Sequence, residues 1–444
     1  MEAALRRWVE ETTGATVTSA ERGFGGGSRE LWFVETGSRS LVLRAETGAG
    51  AFHGTPLTLE REVTVCRALW PTNVPVAEVL GITDDSTAVL MARLPGTSDL
   101  RRLDPVDHPA LVQSFMGALG ALHRLDVERL DLPGFARPER PADHALKDLA
   151  LWDGLVRDHL IEPDPQLGFA SAWLRAHAPS SVARTVLVHG DAGPGNFLYD
   201  GAEVTGLVDW EMSHLGDPMD DIAWLDVRSA ASGASGAWGD VAERDRLYER
   251  ASGIHIDAAS VAYYRVLVHL RCAITTALAI ERGGSLGVAA YEAPHHRFLV
   301  QLASALGDAT GTALEVIERP IAVARAPHYD RAIEGLRSEV LPALRDRPAK
   351  LAARAALLAL EHAREVARVG SQLAELERQD ARETFGSDAS SADAIAAVCA
   401  EAGEVAAPEV LAYLLRRAQR RLMPWATPAA GEDVVPVPSP RSGV

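Results

Sequence analysis

Residues 186–222 read VLVHGDAGPGNFLYDGAEVTGLVDWEMSHLGDPMDDI and set two acidic residues and an asparagine between short apolar runs. Val186-Leu187-Val188 has the length and composition of a short buried strand. The Gly/Pro-rich DAGPGN that follows cannot hold regular structure, so Asp191 and Asn196 share one loop. Phe197-Leu198-Tyr199, the turn Asp200-Gly201 and Val204 to Val208 predict a hairpin whose second strand ends at Asp209. Loop and strand end can therefore converge. A carboxylate and a carboxamide on opposite sides of a small cavity suit magnesium, a hard ion that takes oxygen ligands and keeps waters and substrate phosphates in its shell. Asn196 and Asp209 are the expected metal ligands. Asp191, offset from them, is free to accept a proton from an attacking hydroxyl.

The run His189-Gly190-Asp191, with Asn196 five positions after the aspartate and Asp209 at the end of the next hairpin, resembles the aminoglycoside phosphotransferase family. Its Asp-to-Asn spacing is that of the protein-kinase catalytic loop. Gly216-Asp217-Pro218 with Asp221-Ile222-Ala223 also matches. The resemblance implies an α+β, bilobal protein-kinase-like fold with a small β-rich N-lobe and a mostly helical C-lobe. It makes Asp191 the catalytic base and sets Asn196 and Asp209 to hold Mg2+ against the phosphates of ATP or GTP.

Composition narrows the class. The chain has 444 residues, 47% of them hydrophobic and 24% charged, an ordinary globular composition with room for two or three domains. A formal net charge of −17 speaks against nucleic acid or an anionic membrane surface as a general partner. Cys66, Cys272 and Cys399 lie far apart, which predicts neither a disulfide framework nor a zinc site and fits a reducing compartment. The N-terminus carries acids among its apolar residues and does not read as a signal peptide. No run of about 18 uncharged apolar residues predicts a membrane span. The expected address is the cytoplasm.

Upstream, residues 3–12 predict an amphipathic helix. Glu21 to Ser28 carry Gly25-Gly26-Gly27-Ser28 ahead of a strand at Leu31–Val34, and Leu41–Arg44 predicts the next strand. A glycine-rich turn lets backbone N–H groups approach phosphates, although it lacks the strict Gly-x-Gly-x-x-Gly spacing and a plain hairpin turn remains the alternative. Arg44 stands where the resemblance expects a lysine; its planar fork suits bidentate phosphate contact. Glu62, on a predicted helix, matches the family's glutamate partner of that cation, with Glu60 its competitor. Val89-Leu90-Met91-Ala92-Arg93 becomes the last strand and crossover, whose backbone meets the adenine in related enzymes.

Downstream, Leu111, Phe115, Leu119 and Leu122 recur at helical spacing and bring His123 to a helix end. Residues 130–145 predict a loop, with helices at 146–160 and 167–177. His189 is expected to brace the loop rather than to catalyse. Glu211 is either a further metal-site carboxylate or a solvated one. Asp221 is expected to cap a helix, and Asp217 to orient the loop. A Gly/Ser/Ala-rich loop (229–238) precedes helices at 241–252, 258–280 and 289–306; Tyr263, Tyr264, His269 and Arg271 on the second belong to the core or to an acceptor pocket. Residues 328–425 are rich in Ala, Leu, Arg and Glu and predict a long helix from Lys350 to Glu377, with a stripe through Leu351, Leu358, Ala363 and Val366, and two shorter helices.

The expected organisation is an N-lobe over 1–93, a C-lobe over 94–318, a helical accessory domain over 328–425 and a disordered tail over 426–444. The expected activity is phosphoryl transfer from ATP or GTP to a small-molecule hydroxyl. The Leu-Val-Leu-Arg strand, the Glu-Arg-Glu helix and Asp209-Trp210-Glu211 are most similar to the branch whose kinase domains are fused to acyl-CoA dehydrogenases, which implies a hydroxyacyl-CoA acceptor with Arg93, Arg101 and Arg102 meeting its anionic groups. An aminoglycoside or other amino-alcohol acceptor, suited to an acidic chain, is the alternative. A nucleotide-binding pseudokinase scaffold, working through its helical domain as an oligomer or protein-partner surface, is the third.

Overall fold

The structure, a computed structural model, describes all residues except 24–28, 49, 232–237, 239, 319, 321–325, 387–391 and 426–444. The expected phosphate turn at Gly25, Gly26, Gly27 and Ser28, most of the loop at 229–238 and the tail from Ala426 lie outside the described residues. The described residues separate into two compact units: residues 1–150 with 179–265, and residues 151–178 with 266–425. Among them no helix is long and apolar enough to cross a membrane.

The first unit begins with helix α1 (Ala3–Thr13) and strands β1 (Val17–Arg22), β2 (Arg29–Thr36) and β3 (Ser40–Glu46). Helix α2 (Leu59–Leu69), β4 (Val79–Ile82) and β5 (Ala88–Ala92) follow and complete an antiparallel sheet of order β1-β2-β3-β5-β4. Period-2 alternation sorts the two faces of the sheet. Leu41, Leu43 and Ala45 join Val34, Ala88 and Leu90 in a core closed by Trp8 and Leu5 of α1. The opposite face follows from the register, which pairs Leu31 with Arg44, Phe33 with Val42, Val42 with Met91 and Arg44 with Val89.

Helices α3 (His108–Arg124) and α4 (Asp143–His159) come next, then α5 (Pro165–Ala176). The 186–216 stretch folds as short strands: β6 (Val186–Val188) pairs with β9 (His214–Gly216), and β7 (Phe197–Asp200) with β8 (Glu203–Leu207). Helices α6 (Met219–Ala231), α7 (Val241–Ser252) and α8 (Ala258–Arg282) follow. The architecture is α+β, as expected.

In the second unit, α9 (Gly284–Thr310), α10 (Pro327–Gly335), a short turn α11 (Leu341–Ala343), α12 (Arg347–Phe385), α13 (Ala392–Glu404) and α14 (Pro408–Leu422) pack with α5. Gly403 of α13 lets the helices close up, because a side chain there would strike the Phe169 carbonyl of α5. The apolar stripe expected on the long helix is corrected: Leu351, Leu358 and Val366 are exposed, and the face turned inward carries Glu365, Val369, Leu373 and Asp380. Ion pairs set that face, with Glu365 held by Arg364 and Arg368 and Asp380 by Arg416 and Arg420 of α14.

Candidate active site

A cavity of about 370 Å³ in the first unit is bounded by the sheet on one side and by the 195–210 segment on the other. Phe33, Val42, Ala77, Met91, Leu198 and Leu207 form its apolar walls, and Arg29, Arg44, Glu62, Asn196 and Asp209 its polar end. Arg44 reaches that end because its register position on β3 faces away from the core. One of its Nη atoms donates to Glu62 and the other to Asp209 Oδ1 at 2.9 Å. Glu62 is positioned by α2, whose first turn is capped by the Thr58 hydroxyl accepting from the Arg61 amide. Glu60, its competitor in the sequence, is exposed. Burial works against the Arg44 charge, but Glu62, Asp209 and Glu211 together outweigh it and push its pKa up. Burial also raises the Glu62 carboxyl, against the pull of Arg44.

A second arginine, which the reading of the sequence passed over, belongs to this network. Arg29, 7% exposed at the start of β2, donates to Glu46 at 3.0 Å and to Glu211, and lies 3.5 Å from Glu62. Its alternation with Leu31 and Phe33 was the available signal. Glu211 is thus neither solvated nor exposed: it is buried against Arg29, and burial with the nearby Asp209 pushes its carboxyl up to about 8.

Asp209 sits two residues past β8 with a φ of 72°, a left-handed backbone that costs energy outside glycine and turns its carboxylate toward Arg44. Burial disfavours its charge, and Arg44, Arg29 and His189 together overcome this and hold the carboxyl below its ordinary value. Across the cavity, Asn196 Nδ2 donates to the Asp191 carbonyl at 2.9 Å and to Asp191 Oδ2 at 2.5 Å. This leaves Oδ1 as the atom for a cation, shared with a 3.3 Å contact from Arg228. Among the described residues no cluster of three or more His, Cys, Asp or Glu side chains forms a metal cage. Two oxygen donors lining one cavity, one kept ionised, fit a hard cation that completes its shell with phosphates and water.

The loop carrying Asp191 is held from behind. Asp221 accepts the His189 amide at 2.7 Å and the Gly190 amide at 2.9 Å, and lies 3.0 Å from His123 Nε2, whose Nδ1 meets Tyr248 Oη at 2.7 Å. Both His123 and Asp221 are fully buried. The expected division of labour is reversed: Asp221 braces the loop, and Asp217 caps α6 by accepting the Met219 amide at 3.0 Å. A cap needs only the first free N–H groups, whereas Asp221, the third residue of α6, faces the loop. His189 braces as expected, with Nε2 at 3.0 Å from the Val208 carbonyl, and burial lowers its pKa. Gly190, at φ 81°, has no room for a side chain against the Met212 carbonyl. Asp191 is raised by burial and by Asp209, against the Arg228 guanidinium 2.5 Å away.

At the crossover the Met91 side chain lines the cavity, and Arg93 lies over the Phe33 ring at 4.4 Å. The Ala92 and Arg93 amides already donate to Glu78 and Ser40, so Leu94 is the next backbone donor along. The exposed Arg101 and Arg102 follow Thr97 and Ser98 at the cavity and pair with Asp99.

The profile of the phosphotransferase enzyme family (APH) matches residues 21–254, more than half of the chain. The chain belongs to this family. The phosphotransferase is 30% identical over 210 residues to acyl-CoA dehydrogenase family member 10 of Mus musculus, covering 45% of this chain and 19% of that protein. It is 25% identical over 213 residues to acyl-CoA dehydrogenase family member 11 of Rattus norvegicus, covering 46% of this chain and 27% of that protein. The match therefore spans about a fifth to a quarter of those relatives. A solved structure of a thermostable mutant of aminoglycoside phosphotransferase APH(4)-Ia, in ternary complex with AMP-PNP and hygromycin B, aligns with a TM-score of 0.45 and 20% identity, over 64% of this chain and 96% of that one. Family membership makes the chain a phosphotransferase.

Proposed function

We propose that the chain transfers the γ-phosphoryl group of ATP to the hydroxyl of an acyl-CoA-type acceptor, with Asp191 as base and Asn196 and Asp209 as metal ligands. The observation that carries this is the convergence of Asn196 and the hydrogen-bonded Arg44–Asp209 pair on one cavity, with Asp191 joined to Asn196 just behind the lining. The apolar walls accommodate a purine, and the backbone crossover meets its edge near Leu94. Gly25, Gly26, Gly27 and Ser28 with Arg44 hold the phosphates. Asn196 and Asp209 would hold Mg2+, which would supply charge neutralisation at the transferring group. Glu62 orients Arg44. Asp191 orients the acceptor hydroxyl and takes its proton as the new P–O bond forms and the bond to the leaving nucleotide diphosphate breaks.

Two features support an acyl-CoA acceptor: alignment with two acyl-CoA dehydrogenase family members, and exposed arginines at 93, 101 and 102 close to the cavity. The acidity of the chain favours a cationic amino-sugar instead, and this is the competing acceptor. A non-catalytic nucleotide-binding reading draws on Arg44, which spends both Nη atoms on Glu62 and Asp209. Residues 328–425 act as a packing or subunit-contact module, and the cytoplasm is the proposed location. An acceptor screen with magnesium-ATP decides among these readings. Hydroxyacyl-CoA is expected to raise ADP release and kanamycin-type sugars to leave it unchanged. The reverse pattern would make the chain an amino-sugar kinase, and nucleotide binding with no acceptor turned over would make it a scaffold.

A further inference from the structure

Helix α6 lays one face along the catalytic loop. Asp221, Leu225 and Arg228 stand at i, i+4 and i+7, two turns of helix, so all three side chains point the same way. Asp221 takes the backbone at 189–190, Leu225 faces Gly193, and Arg228 reaches the functional residues themselves. All three kinds of nitrogen in its guanidinium are engaged on one six-residue stretch: Nη1 donates to Asp191 Oδ1 at 2.5 Å, Nε to the Pro194 carbonyl at 2.9 Å and Nη2 to Asn196 Oδ1 at 3.3 Å.

The loop is shaped to admit this side chain. Gly193 and Gly195 have φ of 137° and 97°, a backbone that side chains rarely adopt. A Cβ on Gly193 would lie 3.1 Å from Arg228 Cβ, and one on Gly195 2.9 Å from its Nη2. The two glycines of DAGPGN thus flank the slot that the arginine fills. Asp191 in turn has a donor on each oxygen, Arg228 on Oδ1 and Asn196 on Oδ2, which fixes the rotation of its carboxylate.

The geometry points to Arg228 as a positioning residue for phosphoryl transfer: it fixes the spacing and orientation of Asp191 and Asn196 by spanning both from α6. A planar fork can hold three acceptors in one arrangement, which a lysine point charge cannot. The role follows from the phosphotransferase reading of the site, and it concerns the geometry of the base rather than nucleotide affinity.

The test uses the full chain with magnesium-ATP alone, water taking the place of the acceptor, and follows ADP release by wild type, Arg228→Ala, Arg228→Lys, Asp191→Asn and the Asp191→Asn/Arg228→Ala double variant. Arg228→Ala is expected to lower kcat by about 100-fold while KM for ATP stays within about 3-fold, the split of a group that orders reacting atoms. Guanidinium ion added at sub-denaturing concentration should restore part of the Arg228→Ala rate and none of the Asp191→Asn rate. The double variant should be no slower than the slower single one, because the two residues act as a unit. Where Arg228→Ala does not give folded protein, Arg228→Lys is read in its place, with the same split. A near-wild-type kcat, a rise in KM that accounts for the whole loss, or additive losses in the double variant would overturn the role. A slow Asp191→Asn beside a fast Arg228→Ala sinks this inference alone, whereas a fast Asp191→Asn sinks the reading of the site beneath it.

Discussion

In the helical unit, Arg416, Arg417, Arg420 and Arg421 of α14 meet Asp164, Glu377 and Asp380; in the other unit, Arg29 and Arg44 meet Glu46, Glu62, Asp209 and Glu211. Both networks are largely buried, and both join elements distant in sequence. The α14 network has four arginines for three acids, and its acids are well matched: despite burial, Arg417 and Arg421 hold Asp164 down at about 2. The cavity network has two arginines for four acids. Burial leaves Glu62 and Glu211 raised rather than lowered. A buried surplus of acid is costly unless a cation answers it, and this surplus opens onto a cavity. The balanced network is what a structural joint needs, and the unbalanced one is what a magnesium-nucleotide complex can complete.

That contrast is open to attack by removing one acid from each network. Asp209→Ala removes the proposed metal ligand and frees one arm of Arg44; magnesium-dependent ATP binding, followed by calorimetry, should weaken by more than about 100-fold while the thermal midpoint changes little. Normal ATP affinity would show that the surplus serves packing. Asp380→Ala leaves Arg416 and Arg420 without their shared partner and is expected to cost about 3 kcal/mol of stability, read by denaturant unfolding, with ATP binding unchanged. A variant as stable as wild type would place the α14 network among the ion pairs that contribute nothing measurable.

The smallest expected effect concerns Asp217, which is buried at the start of α6. Burial, with Asp220 and Asp257 adding to it and the Met219 amide opposing, raises its carboxyl to about 7. Its folded pKa lies above the unfolded value near 4, so the folded state binds the extra proton between them. The stabilisation is complete below about pH 4 and is lost as pH rises through 7. Asp217→Asn keeps the oxygen that accepts the Met219 amide and removes the titration. Wild type should therefore lose on the order of 2–3 kcal/mol relative to the variant between pH 5 and pH 8. Parallel stability curves for the two proteins over that range would contradict the assignment.

The legible parts of the molecule were those in which one short stretch carries its own geometry. Val186–Val188, the 197–207 hairpin and the Asp191-to-Asn196 loop follow from apolar runs, a turn dipeptide and glycines, and the structure has them as read. The parts that escaped depend on partners far away in the chain. Arg29 becomes functional-looking only once β2 is in register with β3 and Glu211 arrives from 182 residues later. Arg228 is one arginine on a helix until its i+7 relation to Asp221 is combined with the position of the loop. The long helix misled for the opposite reason: its leucines at 351 and 358 form a stripe on paper, but the face it buries is chosen by ion pairs that composition cannot rank.

The central claim is that Asp191 acts on the hydroxyl that receives the phosphate. The most direct test compares acceptor-stimulated ADP release from magnesium-ATP by wild type and by Asp191→Asn, with ATP affinity measured on the same samples. The variant should bind ATP as wild type does and turn over about 10²- to 10⁴-fold more slowly, the range of a general base. Unchanged acceptor-stimulated turnover in the variant would contradict the account.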